Sequence, residues 1–251
     1  MKKIKEKIAV VTGAGSGIGR ATSIALARKG ATLVLADINE AGMRETAKLI
    51  SAAGGTSSAH VVNVADKRRM QAFADEIDTL HGRVDIVVNN AGIGILDDFV
   101  DGSLEDFEKV VDINLWGVVY GSKMFLPMML RAGEGHIVNI SSLAGIISTP
   151  GMVSYGTTKF AVRGFSESLR AELAGRNIGV TSVHPGMIRT NIAKTSRLAT
   201  ASANADRAKF EKWFARMTLT TPEKAAQIII SGILGNRPRI LVGPDAHVID
   251  V

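Results

Sequence analysis

Seven short runs of β-forming apolar residues are spread along the chain, separated by longer stretches of helical period. That alternation limits the possible folds more than any other feature. The runs are Ile8 to Thr12, Thr32 to Ala36, Ala59 to Val62, Asp85 to Val88, His136 to Ile140, Val180 to Val183 and Arg239 to Val242. Helical segments fall at Ile18 to Lys29, Glu40 to Ala52, Lys67 to Leu80, Leu104 to Leu130 and Ser154 to Leu173. The runs are nearly all Val, Ile, Leu and Ala with little polar alternation, so the strands are expected to be buried on both faces. The pattern predicts an α/β fold, a doubly wound parallel sheet of about seven strands with helices on both faces. No repeat or linker divides the 251 residues, 46% of them hydrophobic, so one domain over 1–251 is expected. The stretch Asn191 to Met217 lacks a strand pattern and is expected to be a helical excursion or lid that covers substrate. Thr220 or Thr221 should cap the helix that follows, with Pro222 in its first turn.

Composition excludes several classes of function. Lys and Arg total 30 against 24 Asp and Glu, a formal charge of +6, but no dense basic stripe or interleaved aromatics mark a nucleic-acid surface. Cysteine is absent, which removes disulfides, thiolate metal sites and cysteine nucleophiles. The five histidines show no ligand spacing, so no metal is expected. No apolar run reaches the roughly 18 residues of a membrane span. A cytoplasmic protein with a small-molecule substrate, and without nucleic-acid or membrane partners, is the expectation.

The first run leads into Thr12-Gly13-Ala14-Gly15-Ser16-Gly17-Ile18-Gly19, a glycine-rich turn placed where a strand hands over to a helix. Glycine permits tight or left-handed backbone and removes the Cβ that would block a phosphate, and the helix N-terminus offers N–H groups to an anion. Gly13, Ser16, Gly17, Ile18 and Gly19 are therefore candidate pyrophosphate contacts, the alternative being a plain tight turn. Asp37 ends the second run about twenty residues on, where a carboxylate accepts hydrogen bonds from the adenosine ribose hydroxyls. It would repel a 2′-phosphate, and neither Ser16 nor Ile38 offers a basic partner for one. The expected cofactor is NAD, with NADP less favoured. A Rossmann-type domain follows. The fourth run ends in Asn89-Asn90-Ala91-Gly92 at the carboxyl edge where ligands of such sheets bind, though both asparagines also suit ordinary turns.

Tyr155 and Lys159 stand four apart in a helical segment and so share one face. A tyrosine with pKa near 10 is a poor base, but an ammonium ~4 Å away at an effective dielectric of ~20 is worth about 4 kcal/mol, or roughly three pKa units. The pair is therefore expected to make a phenolate accessible for general acid/base work. Ser141 and Ser142 follow the fifth run, where a hydroxyl can face an oxygen that gathers charge during hydride transfer, or can merely turn the chain. Asn114 sits within an apolar helical stretch, where an amide is costly unless a water, a neighbouring helix or a ligand uses it.

In order and spacing these residues resemble the short-chain dehydrogenase/reductase family from Ile8 to about Thr190: the Thr12-Gly13-x-x-x-Gly17-x-Gly19 turn, Asn89-Asn90-Ala91-Gly92, Asn114, Ser142, Tyr155-x-x-x-Lys159, and Pro185-Gly186 with Thr190. The resemblance implies a catalytic tetrad of Asn114, Ser142, Tyr155 and Lys159. Tyr155 would exchange the proton on the substrate oxygen and Ser142 would hold that oxygen. Lys159 would grip the nicotinamide ribose and lower the tyrosine pKa, and Asn114 would position a relay water. Asn90, Ala91 and Gly92 join the cofactor contacts, and Pro185, Gly186, Ile188 and Thr190 resemble the segment that orients the nicotinamide. The family also implies a homotetramer or homodimer. Where many members have Asp-Val after the third strand, this chain has Asn63-Val64, whose amide oxygen can still accept from adenine.

The expected activity is hydride transfer between NAD(H) and a secondary alcohol or ketone. The segments Ile93 to Val100 and Leu143 to Val153 are apolar, which favours a hydrophobic substrate. An NADP-dependent ketoreductase, including one for 3-oxoacyl substrates, is an alternative. A silent dinucleotide sensor is another, although such a sensor would be expected to have lost a member of the tetrad. The family's sugar-nucleotide epimerases and dehydratases are typically longer. After Thr190, Lys194, Arg197, Arg207, Lys209, Lys212 and Arg216 outnumber Asp206 and Glu211. A solvated helix face accounts for that excess, an acidic or CoA-linked substrate being the other reading.

Overall fold

The structure, a computed structural model, describes residues 1–96, 98–190, 197–198, 218 and 220–249. Seven strands form the main sheet: β1 (Ile8–Thr12), β2 (Thr32–Asp37), β3 (Thr56–Val61), β4 (Ile86–Asn89), β5 (Gly135–Ile140), β6 (Ile178–Pro185) and β7 (Arg239–Val242). All pair in parallel in the order β3-β2-β1-β4-β5-β6-β7. The helices are α1 (Gly17–Arg28), α2 (Glu40–Ala52), α3 (Lys67–His81), α4 (Leu104–Val111), α5 (Gly117–Ala132), α6 (Val153–Glu172), α7 (Pro222–Leu234) and α8 (Pro244–Ile249). Leu26, Met43, Ile50, Ile229 and Ile233 of α1, α2 and α7 pack on one face, and Met70, Phe73, Ile77, Phe125 and Met129 of α3 and α5 on the other. Each such side chain contributes about 1.5–3 kcal/mol by leaving water. No helix among the described residues is long and apolar enough to cross a membrane.

The chain winds outward from β1 to β3, then returns to β4 and winds the other way. The carboxyl ends of β1 and β4 therefore diverge into a crevice, and the candidate residues gather there. Buried side chains pin the strands beneath it. Asn89 Nδ2 donates to Asn139 Oδ1 at 2.8 Å and to Ser122 Oγ at 3.1 Å, and Asn139 Nδ2 donates to Ser166 Oγ at 3.0 Å.

Two expectations need correction. The third strand begins at Thr56, before Ala59, and its residues are half-buried or exposed. Among the described residues it is the sheet edge and pairs with β2 alone, so Thr56, Ser57 and Ser58 complete it through backbone bonds and β-propensity without burial. The helix expected from Leu104 to Leu130 is interrupted by a π turn at Asp112–Trp116, and α5 continues to Ala132 with Pro127 inside it. Apolar periodicity does not register one inserted residue. Thr221 is the cap, its hydroxyl accepting from Lys224 N at 3.3 Å. The lid expected at Asn191 to Met217 lies outside the described residues, apart from Arg197–Leu198, which pairs in parallel with Ile95–Leu96.

Candidate active site

β1 delivers Thr12 to the crevice, and the chain turns through Gly13 and Gly17, both left-handed with φ of 64° and 52°. Ser16, the N-cap of α1, makes no side-chain cap bond, and no acid stands in the first turn, so the helix start is electrically suited to an anion. A Cβ at Gly17 would sit 3.2 Å from the methyl of Thr190, so the glycine turn and the segment after β6 face each other across a gap that a side chain would fill. Gly19 lies against the Gly13 carbonyl oxygen so closely that any Cβ would overlap it. These features fit a dinucleotide pyrophosphate.

Half-buried Asp37 stands at the end of β2, its Oδ2 accepting from Gly15 N at 2.8 Å and its Oδ1 from Asn39 N at 2.9 Å. Two protein donors thus fix the carboxylate, while each oxygen keeps a lone pair for a ribose hydroxyl. Sequence reasoning missed Arg20, whose guanidinium donates to the carbonyls of Gly15 (2.5 Å) and Gly42 (3.2 Å) and to Thr46 Oγ1 (3.0 Å). An arginine in a first helical turn gave no signal for this, because its partners on α2 lie over twenty residues away. Asn63 is exposed beyond β3 and its Oδ1 accepts from Ala65 N at 3.1 Å. Val64 is a packing residue, 2.8 Å from where a Cβ of Gly117 would lie.

Asn90 serves as a lock. Its Nδ2 donates to the carbonyls of Thr12 (2.9 Å) and Gly13 (3.2 Å), and the Thr12 hydroxyl accepts from Asn90 N and Ala91 N at 3.0 and 3.1 Å. The end of β4 is thereby bolted to the glycine turn. A Cβ at Gly92 would approach Asn114 Oδ1 to 3.2 Å and Lys159 Nζ to 3.6 Å, so Gly92, Asn114 and Lys159 border one space.

Asn114 is fully buried in the π turn. Its Oδ1 accepts from Ile93 N at 2.8 Å, and its Nδ2 donates to Ile93 O at 2.9 Å and Thr158 Oγ1 at 3.4 Å. The amide clamps the loop after β4 and ties it to α6, which accounts for a polar group in an apolar helix. Of the two serines after β5, Ser141 is buried with its Oγ donating to Lys159 O at 2.8 Å, while Ser142 lies beside the Tyr155 hydroxyl.

Tyr155 and Lys159 are both buried on α6, with Lys159 Nζ 5.4 Å from the phenol ring centroid and donating to Ile140 O at 2.9 Å. Burial lowers the Lys159 pKa to about 8. Burial also pushes the Tyr155 phenol up, with the Ser142 hydroxyl partly opposing, so in this chain the phenol moves opposite to the expectation drawn from lysine proximity alone. Desolvation of the phenolate is the larger effect.

β6 ends in Pro185, followed by Gly186, Met187, buried Ile188 and Thr190, with Ile188 bridged to Thr220. His184, one residue earlier and fully buried, braces the serine loop from behind. Its Nδ1 faces Ser142 O at 3.0 Å and its Nε2 faces Ser182 Oγ at 2.8 Å. A carbonyl only accepts, so Nδ1 carries the proton and Nε2 takes one from Ser182. Burial lowers the pKa of His184 to about 4 and that of His136 to about 3. Both rings are neutral when folded but titrate near 6.5 when unfolded, so their stability is present above pH 6.5 and lost as pH falls toward 4. Removing His184 should therefore matter less in acid. The stability gap between wild type and His184→Gln in urea is expected to narrow from pH 7 to pH 4.5, and a constant gap would contradict the buried neutral ring.

Just before Tyr155 in the chain, Val153 and Ser154 join Ile95, Phe99, Leu104 and Phe107 in lining a cleft that also presents Ser103 and Asp106, so its walls mix apolar and polar groups. All the catalytic candidates thus lie at one edge of the sheet, with the glycine turn facing Thr190 across the crevice.

The family model for short chain dehydrogenases matches residues 7–201. A Mycobacterium tuberculosis protein named as an oxidoreductase, SadH, is 41% identical over 254 residues, covering 100% of this chain and 91% of that protein. The 3-oxoacyl-[acyl-carrier-protein] reductase FabG of Thermotoga maritima is 34% identical over 231 residues, covering 91% of this chain and 90% of its own. Among solved structures, a short chain dehydrogenase/reductase from Burkholderia phymatum in complex with NAD superposes with a TM-score of 0.92 at 31% identity, covering 99% of this chain and 92% of that one.

Proposed function

Because the chain belongs to the short-chain dehydrogenase/reductase family of oxidoreductases, enzymes acting on CH–OH and keto groups, we propose that it interconverts a hydrophobic secondary alcohol and its ketone with NAD(H), Tyr155 serving as general acid/base. The observation that carries this reading is the placement of buried Tyr155 and Lys159 with half-buried Ser142 at the carboxyl edge of the sheet, near a cleft to which Ile95, Phe99, Leu104 and Phe107 contribute apolar walls.

Bound NAD supplies the hydride acceptor. Tyr155 Oη takes the proton from the alcohol oxygen, or returns it during reduction, and the Ser142 hydroxyl donates to that oxygen as it gains charge. Lys159, with a pKa of about 8, is mostly charged at neutral pH. Its charge, lying over the Tyr155 ring with Nζ 5.4 Å from the centroid, acts in the direction that favours the phenolate. Asn114 has both amide hydrogens engaged, which supports a positioning role for its side chain in place of the relay-water contact. Gly13, Ser16, Gly17, Ile18 and Gly19 would hold the pyrophosphate, Asp37 the adenosine ribose, and Lys159 the nicotinamide ribose. Asn63, Val64, Asn90, Ala91 and Gly92 would line the adenine-to-nicotinamide path, and Pro185, Gly186, Ile188 and Thr190 its far wall.

Asp37 supports NAD over NADP, since Arg20, the basic residue beside the turn, is held by protein carbonyls and Thr46. The exposed Trp116 and Phe160, close to Asn114 and Tyr155, support a homotetramer or homodimer. The absence of cysteine supports a cytoplasmic location. A second reading is an NADP-dependent ketoreductase acting on a 3-oxoacyl substrate, of which the substrate part is favoured by the name of the Thermotoga maritima relative. Initial rates across secondary alcohols and ketones with each nicotinamide, followed by absorbance of the reduced form, test the proposal. Turnover of apolar cyclic or acyclic pairs with NAD(H) is expected. Preference for NADPH with 3-oxoacyl thioesters would establish the second reading, and no turnover of any alcohol or ketone would reject both.

A further inference from the structure

The segment proposed to face the nicotinamide is fastened from the far end of the sequence. After β6, Gly186 N donates to Val242 O at 2.9 Å and Arg189 N to Thr220 O at 2.9 Å. Between them, Met187 N donates to Asp245 Oδ2 at 2.6 Å. Among these three bonds the carboxylate of Asp245 is the one side-chain acceptor, and a charged one.

Two glycines are shaped around that carboxylate. A Cβ at Gly186 would overlap all three atoms of the Asp245 carboxyl group. A Cβ at Gly243 would lie 2.5 Å from Asp245 Oδ1 and 3.1 Å from Thr220 Oγ1, and Gly243 has φ of 105°, which side chains rarely adopt. That left-handed turn swings the chain from β7 into α8 so that Asp245 points back at the end of β6. His247 Nδ1 donates to Gly243 O at 2.8 Å and closes the turn. A residue needed only to cap a short helix would not require glycine at a position 59 residues earlier in the chain.

We propose that Asp245 is a positioning residue for hydride transfer: by gripping Met187 N–H it sets the Pro185–Gly186–Met187 turn, and with it the placement of Ile188 and Thr190 against one side of the nicotinamide. This rests on the dehydrogenase reading above. On this account Gly186 is glycine because it must admit the carboxylate. Asparagine can replace the acceptor through its amide oxygen. Alanine orphans the Met187 N–H, and glutamate, one methylene longer, has no room against Gly186 and must push the turn away.

The test compares wild type, Asp245→Asn, Asp245→Ala and Asp245→Glu in four measurements: amide hydrogen exchange over residues 185–190, the NADH dissociation constant by fluorescence, kcat and KM for NAD, and deuterium delivery from NADH labelled on one face of C4. The expected result is exchange about tenfold faster, NADH binding several-fold weaker, kcat lowered at least tenfold and detectable wrong-face deuterium in the Ala and Glu variants, with the Asn variant close to wild type. If Asp245→Ala does not fold, the Asn and Glu pair carries the comparison. Folded Ala or Glu variants with unchanged exchange, kcat and facial selectivity would overturn the proposal. Wild type that turns over no alcohol or ketone would instead overturn the dehydrogenase reading, while the exchange and NADH-binding comparison still judges Asp245.

Discussion

Replacing Tyr155 with Phe is expected to lower kcat by about a hundredfold to ten-thousandfold, the range for loss of a general acid/base, while leaving NADH binding intact. The ring is buried, and Phe preserves its bulk while deleting only the hydroxyl. Ser142 beside the hydroxyl and Lys159 over the ring both have other partners: Ser142 Oγ accepts from Ala144 N at 3.1 Å, and Lys159 Nζ donates to Ile140 O. The structure therefore tolerates the deletion and the chemistry does not. Steady-state rates beside a fluorescence titration with NADH separate the two. A variant that kept wild-type kcat would remove Tyr155 from the mechanism, and one that lost NADH binding would show that the ring is structural.

Gly19→Ala should be nearly as damaging by an unrelated route. Its methyl would overlap the Gly13 carbonyl oxygen and lie 2.5 Å from Asn90 Nδ2, and neither can yield cheaply. The carbonyl belongs to the left-handed Gly13, and the amide holds the end of β4 to Thr12 and Gly13. Overpacking costs about 1–3 kcal/mol, and a buried hydrogen bond left unmade about 1–3 more. A loss of about 3–5 kcal/mol is a large share of the 5–15 kcal/mol that typically stabilises a fold, and corresponds to a fall in Tm of roughly 10 °C. NADH affinity should fall with it, because α1 would be pushed off the turn that presents its N-terminus. Scanning calorimetry with and without NADH checks this, and an unchanged Tm would mean that the helix does not pack on the turn as described.

These residues were legible in the sequence because their signals are local. The glycine turn, Asp37 at a strand end, and Tyr155 four residues before Lys159 each declare themselves within one element or one turn of helix. The alternation of strands and helices gave the sheet for the same reason. Long-range partners carry no such mark. Nothing near Asn114 announces the backbone of Ile93, and nothing near Gly186 announces Asp245. The two asparagines after β4 carried two meanings, and the structure assigns Asn89 and Asn90 to holding strand ends together. The tyrosine pKa was misjudged because periodicity places a lysine on the same face but gives no measure of burial, and burial moves the phenol the other way. The edge position of β3 was hidden likewise, since strand order is a property of the assembled sheet.

The central claim is spatial: the phenol of Tyr155, the ammonium of Lys159 and the hydroxyl of Ser142 converge where the nicotinamide of a dinucleotide on the glycine turn would end. A crystal structure of the NAD complex measures this directly. The account predicts the pyrophosphate at Gly17 to Gly19, the adenosine ribose on Asp37, the nicotinamide ribose on Lys159, and C4 in van der Waals reach of a substrate oxygen bound by Tyr155 and Ser142. A dinucleotide bound elsewhere, or a nicotinamide whose C4 faces away from the Tyr155 hydroxyl, would contradict it.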